Sequence, residues 1–212
     1  MQDKSLKFKM VFCAMISIVG WFAVLFQLYL IISNRVASLS ETIVRFFSFF
    51  TIQTNILVAI CFTCLWLKPK SKWGLFFSKA TNLTAITLYI LIVGIVYNVI
   101  LRFLWAPTGS QKIVDELLHL VIPVFVLVYW IVFVTKKELE YKTIFPWLMF
   151  PFVYLIYTLI RGAFFNFYPY PFIDVNALGY SEVIRNSFFM LFAFLFFGMI
   201  LITIGKRTAA KA

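Results

Sequence analysis

Six apolar runs, each close to the ~20 residues that cross a hydrocarbon core, constrain this chain more than anything else in it. They cover about 8–33, 44–67, 81–104, 114–135, 145–162 and 182–205. In lipid, a backbone that must satisfy its own hydrogen bonds forms helices or a closed barrel. Runs of this length specify helices. The expected fold is an all-α polytopic membrane protein, a bundle of six transmembrane helices forming one domain over 1–212. Composition agrees: 63% of residues are hydrophobic and 13% charged, against about 25% charged in ordinary soluble domains. The first run exceeds the roughly 7–15 residues of a signal-peptide core, so it reads as a retained helix. The 27 phenylalanines suit a lipid-facing surface and interfacial belts.

The net charge of +11 is distributed by topology. Lys4, Lys7, Lys9, Lys68, Lys70, Lys72, Lys79, Lys136, Lys137, Lys142, Lys206, Arg207 and Lys211 fall on one side of the alternating runs. Arg35, Arg45, Arg102, Lys112, Arg161 and Arg185 fall on the other. The positive-inside rule then places both termini in the cytoplasm. The lipid bilayer, with its anionic headgroups, is the partner this charge predicts. No basic domain stands outside the runs to bind nucleic acid. Cys13, Cys61 and Cys64 lie within apolar runs. Cys61 and Cys64 have CxxC spacing but no second ligand pair, so they read as packing residues. No metal and no cofactor is expected.

Given this topology, polar residues gather at one depth. The single histidine, His119, lies about 9 Å along the fourth helix, counted at 1.5 Å per residue from its expected start near Ile113. An ionisable residue inside a span is a functional-site hypothesis by default. Pro123 follows four residues later and has no N–H, so the His119 carbonyl loses its helical partner and the helix should kink. In the second run Ser48, Thr51 and Asn55 share a face, flanked by Thr54. In the third run Gly94, Asn98 and Arg102 do so. Gln27, Tyr157, Thr158, Arg161, Glu182, Arg185 and Asn186 add polar groups from the remaining runs. The blander account is helix glue for the amides and snorkelling for the arginines. Thr63, Thr84 and Thr87, in the other half, can bond their own backbones.

This layer lacks the residues for zinc, a phosphate-cradling loop or a GxSxG elbow. A hydroxyl nucleophile with one general base remains. Thr51 and His119, at matched depth, form the candidate dyad. Asn55, Asn98, Arg102, Arg185 and Asn186 are candidates for oxyanion or substrate binding, and Glu116, Asp174 or Glu182 for orienting the imidazole. The aromatic junction from Phe164 to Val175 is either a lid over the cavity or an interfacial anchor.

Three places carry a family resemblance: Phe50-Thr51-Ile52-Gln53-Thr54-Asn55, His119 with Pro123, and Tyr170-Pro171-Phe172-Ile173-Asp174. The chain resembles the androgen-induced and androgen-dependent integral membrane proteins, and more closely their small bacterial six-helix relatives. The resemblance implies an intramembrane threonine hydrolase of fatty acid esters, with Thr51 as nucleophile and His119 as its base, in a bacterial plasma membrane. The His-to-Pro spacing is one residue shorter than in the animal proteins. Two other functions are compatible with the residues. One is non-catalytic binding or transport of a small polar or lipid ligand in the same cavity. The other is a structural role, in which the polar layer holds helices together.

Overall fold

The computed structural model describes residues 2–104 and 106–209; Lys211 of the charge count lies outside them. Among the described residues all regular structure is helical. The helices are α1 (Gln2–Ser33), α2 (Leu39–Ser48), α3 (Phe50–Leu67), α4 (Lys72–Ser78), α5 (Ala80–Val99), α6 (Gly109–Glu116), α7 (Ile122–Phe133), α8 (Ile144–Trp147), α9 (Met149–Phe165) and α10 (Val175–Ala209). Six stretches are long and apolar enough to cross a membrane: Leu6–Ser33, Phe50–Leu67, Ala80–Phe103, Gly109–Phe133, Tyr141–Phe165 and Val175–Thr208.

The third stretch is the most enclosed, 67% buried, and the fifth the least, at 22%. So α5 forms the centre and α9 the periphery. The α1–α3 pair packs closely, because a Cβ on Gly20 would sit 3.2 Å from that of Ala59. Small residues allow such approach where no hydrophobic gain drives helices together. Thr63 glues the pair, accepting from the Trp21 indole N–H at 3.0 Å and from the Ser17 hydroxyl at 2.6 Å. Thr63, Thr84 and Thr87 also bond the carbonyls four residues back.

The breaks in these stretches position the site. The second expected helix, 44–67, is not continuous: the chain turns extended at Phe49 (φ −78°, ψ 127°) between α2 and α3. A break exposes backbone groups that must find partners. The Tyr154 hydroxyl donates to the Ser48 carbonyl at 3.0 Å, Gln53 donates to Phe47 at 2.9 Å, and the Thr51 N–H donates to the Tyr170 hydroxyl at 3.1 Å.

The fifth stretch breaks at Leu148. Pro151 cannot donate to Trp147, and the Tyr89 hydroxyl bonds that carbonyl instead, at 2.7 Å. The sixth starts seven residues earlier than its apolar run and passes through Gly179 at φ 75°, a conformation glycine adopts without strain. The fourth starts at Gly109 and carries a π turn, Leu117–Val121, between α6 and α7. A simple proline kink was expected there.

Candidate functional site

The π turn sets the geometry around His119. The Ile122 N–H reaches back five residues to the Leu117 carbonyl, which leaves Leu118 without its usual partner. Pro123 leaves His119 without one as well. Two free carbonyls thus lie side by side within a membrane span, where each unsatisfied group costs several kcal/mol. Two carboxamides fill them. Asn55 on α3 donates to Leu118 at 3.3 Å, and Asn98 on α5 donates to His119 at 3.1 Å. The second N–H of each bonds its own helix, to Thr51 at 2.9 Å and Gly94 at 2.8 Å. Gly94 lets the two helices approach closely here: a Cβ on it would be 3.1 Å from the His119 carbonyl and 3.2 Å from the Pro123 ring.

His119 itself is held by Asp115, one turn earlier. Its Nδ1 lies 2.8 Å from the Asp115 carbonyl and 3.4 Å from the Asp115 carboxylate. A carbonyl only accepts, so Nδ1 carries a proton and donates it to Asp115. The Tyr97 ring stacks on the imidazole, with centroids 3.8 Å apart and planes 14° apart, and its hydroxyl donates to the Asp115 carboxylate. Asp115 is 6% exposed, a carboxylate buried in a span with an imidazole and a phenol around it.

Thr51 lies on the wall of a cavity of about 550 Å³ between α3, α5, α9 and α10. The wall is almost wholly apolar, with side chains such as Phe50, Ile92, Phe152, Leu155 and Phe194, and includes Tyr97 and Tyr170. The Thr51 hydroxyl is 3.2 Å from the Tyr170 hydroxyl. Loss of water around the Tyr170 phenol pushes its pKa up, so at neutral pH it keeps its proton.

The segment carrying Tyr170 is pinned down. Tyr168 packs so closely on Gly162 that a Cβ there has no room. Tyr170 stacks on Phe172 at 5.3 Å with planes 5° apart. Asn186 on α10 donates to the Phe172 carbonyl at 2.9 Å.

The predicted site residues separate into distinct groups. Thr51 is on the cavity wall. His119, Asn55, Asn98 and Arg102 form a polar cluster next to it. Among the described residues no hydrogen bond joins the Thr51 hydroxyl to the His119 ring. Both N–H groups of Asn55 and of Asn98 hold carbonyls and are not free for an oxyanion.

Arg102 and Glu116 pair with each other, at 2.5 and 2.9 Å, and Arg102 also donates to Asn98 at 2.9 Å. Glu116 therefore faces the guanidinium, and the acid at His119 is Asp115. Asp174 caps α10, accepting from the Asn176 and Ala177 N–H groups at 2.9 and 3.3 Å. Glu182 and Arg185 form an exposed pair one turn apart. These acids serve helix ends and surfaces.

Asp115 and Tyr97 did not enter the sequence-based candidate set. The spacing of Asp115 and His119, i and i+4 on one helix, was the available signal for the acid. For Tyr97, which lies one residue before Asn98 in a third helix, the sequence offers none.

Fold and site together define a helical, multi-pass integral membrane protein with an apolar cavity and a buried His–Asp–Tyr cluster beside it. Neither protein-family models, nor curated proteins, nor solved structures give a match to the chain.

Proposed function

We propose that the protein is an intramembrane hydrolase of lipid esters, with Thr51 as nucleophile and His119 as general base. The observation that carries this reading is the placement of Thr51, its hydroxyl beside that of Tyr170, on the wall of a mostly apolar cavity. Its volume falls within the roughly 300–1,000 Å³ of small-ligand pockets, and its lining suits an acyl chain. The ester carbonyl would then sit at Thr51. His119 supports the assignment, since its Nδ1 donates to Asp115 and its ring stacks on Tyr97, a residue of the cavity wall. Asp115 takes the orienting role and balances the imidazolium that forms.

The reaction requires the Thr51 hydroxyl to turn from Tyr170 towards Nε2, directly or through one water; catalytic hydrogen bonds are often long or misaligned before substrate binds. The bias of Lys and Arg supports a cytoplasmic location for both termini, and the resemblance supports a bacterial plasma membrane.

The test is covalent labelling by a fluorophosphonate probe in detergent micelles. Wild type is labelled, and Thr51→Ala and His119→Ala are not, while Thr54→Ala remains labelled. Equal labelling of Thr51→Ala and wild type would remove Thr51 as nucleophile.

One observation favours a second reading. The Thr51 hydroxyl is bonded to Tyr170 and not to His119, as in a site that binds a lipid chain without cleaving it. In that case a radiolabelled fatty acid ester binds the protein and is recovered intact.

A further inference from the structure

A hydrolase that attacks an ester carbonyl needs donors for the oxyanion, and the donors named from sequence are taken. The N–H groups of Asn55 and Asn98 hold backbone carbonyls. Arg102 is bound to Glu116 and Asn98. None of the three lies on the cavity wall, and His119 sits behind the wall residue Tyr97, whereas Tyr170 is itself on the wall beside Thr51.

We infer that the Tyr170 hydroxyl is the oxyanion donor of the Thr51 site, a catalytic residue supplied by the segment between α9 and α10. This rests on the hydrolase reading above. The Thr51 N–H donates to the phenol oxygen at 3.1 Å, which occupies one lone pair and leaves the phenol O–H free to point at Thr51 Oγ, 3.2 Å away. When Oγ bonds the ester carbon, the oxyanion is attached to that same carbon. It therefore lies one carbon away from Oγ, within reach of a donor already at hydrogen-bond distance from Oγ.

The donor is also held in advance of reaction. Tyr170 is stacked on Phe172 and set edge-on to Phe49, with centroids 5.8 Å apart and planes 82° apart. The Asn186 bond to Phe172 fixes the turn that carries it. Donors fixed before charge develops stabilise the transition state without reorganisation.

Thr51 Oγ forms a bond to the ester carbon, and its proton passes to His119 Nε2. The carbonyl π pair moves onto oxygen, where Tyr170 O–H meets it. The pair then re-forms the carbonyl, the bond to the alcohol oxygen breaks, and the alcohol leaves with the proton from His119. Water, deprotonated by His119, repeats the sequence on the acyl-Thr51 ester. The products are the free acid and regenerated Thr51.

The experiment is turnover of p-nitrophenyl octanoate by the detergent-solubilised protein, comparing wild type, Tyr170→Phe and Tyr157→Phe. Tyr157 supplies the control, because its hydroxyl bonds Ser48 at 3.0 Å and has no bond to Thr51. Tyr170→Phe lowers kcat by about 10²–10³-fold, the usual loss for one oxyanion donor. Its KM stays within about threefold of wild type, since the interaction is made in the transition state. Tyr157→Phe keeps the wild-type kcat.

A Tyr170→Phe variant with wild-type kcat and an altered KM would make Tyr170 a lid and overturn the inference. A wild-type protein with neither turnover nor fluorophosphonate labelling would overturn the hydrolase reading and this inference together. If a melting curve shows that Tyr170→Phe is unfolded, 3-fluorotyrosine at position 170 decides. A donor makes kcat follow the acidity of the phenol, and a lid leaves kcat unchanged.

Discussion

The Asn98 carboxamide donates to the carbonyl of His119, the carbonyl that Pro123 leaves without a helical partner. Asn55 does the same for Leu118, the carbonyl skipped by the π turn. Helices α3 and α5 are thereby tied to one irregular turn, and that turn carries the only imidazole in the chain. The irregularity is held from both sides, which makes the position of His119 a property of three helices.

This tie is testable by removing either end. Asn98→Ala leaves the His119 carbonyl bare and takes the acceptor from Arg102, at a cost of about 1–3 kcal/mol. Asn98→Asp restores an acceptor for Arg102 but has no donor for His119, so it remains destabilised. In the double variant Asn98→Ala/Pro123→Ala, the backbone N–H gained at position 123 can return to the His119 carbonyl. The double variant should recover about 1 kcal/mol relative to additivity. Thermal unfolding in detergent measures these three together with Pro123→Ala, and strict additivity would mean that Asn98 and Pro123 are not coupled through that carbonyl.

Gly94 gives a second test of the same contact. A Cβ placed 3.1 Å from the His119 carbonyl and 3.2 Å from Pro123 forces α7 away from α5 by a few tenths of an ångström. Gly94→Ala should cost about 1–3 kcal/mol, the usual range for overpacking. Ile95→Ala next to it, on another face of α5, should leave the His119 NMR signal unmoved, while Gly94→Ala shifts it. An unchanged imidazole signal in Gly94→Ala would show that the turn absorbs the methyl elsewhere.

The sequence was most informative where lipid leaves the backbone little choice. Six apolar runs gave six membrane-length helices, because length and hydropathy decide that outcome. The proline at 123 announced a freed carbonyl at His119, since the missing N–H is a property of the residue itself. What fills that carbonyl was not legible. Asn98 looked like an oxyanion donor because a carboxamide in a span serves a carbonyl and a substrate equally well. The break at Phe49 was invisible for a similar reason. Phe46 to Phe50, with only Ser48 polar, reads as uninterrupted helix, and the hydroxyls that support the break come from Tyr154 and Tyr170, more than a hundred residues away. Glu116 and Asp115 are both about one turn from His119. Only the position of Arg102 on another helix decides which carboxylate turns away.

A pH prediction follows from α2, which lies outside the six membrane-length stretches. The Glu41 carboxyl accepts from Arg45 at 2.7 Å and from Arg161 at 2.8 Å. The bond to Arg45, then that to Arg161, holds its pKa below the ordinary 4.5. The folded state therefore binds this proton less readily than the unfolded state. The stabilisation is complete above the ordinary carboxyl pKa and is lost as pH falls through the lowered one. Melting temperatures taken from neutral pH to about pH 3 should fall more steeply for wild type than for Glu41→Gln. Because Arg161 joins α9 to α2 through Glu41, Glu41→Gln should also melt below wild type at neutral pH. Parallel acid profiles for the two proteins would show that the pair does not hold in solution.

The last test separates the two things Asp115 does for His119. Its backbone carbonyl fixes the proton on Nδ1 at 2.8 Å, and its carboxylate, 3.4 Å away, supplies charge. Asp115→Asn removes the charge and keeps the carbonyl. With a single histidine in the chain, the imidazole ¹⁵N signals can be read without ambiguity. They should show the Nδ1–H tautomer in both wild type and Asp115→Asn. Ester turnover should nevertheless drop by about 10–10²-fold, because the imidazolium formed during attack has lost its nearest negative charge. The loss is smaller than when a triad aspartate also sets the tautomer, where it reaches about 10⁴-fold. A mixed or Nε2–H signal in Asp115→Asn would show that the carboxylate, and not the carbonyl, orients the ring.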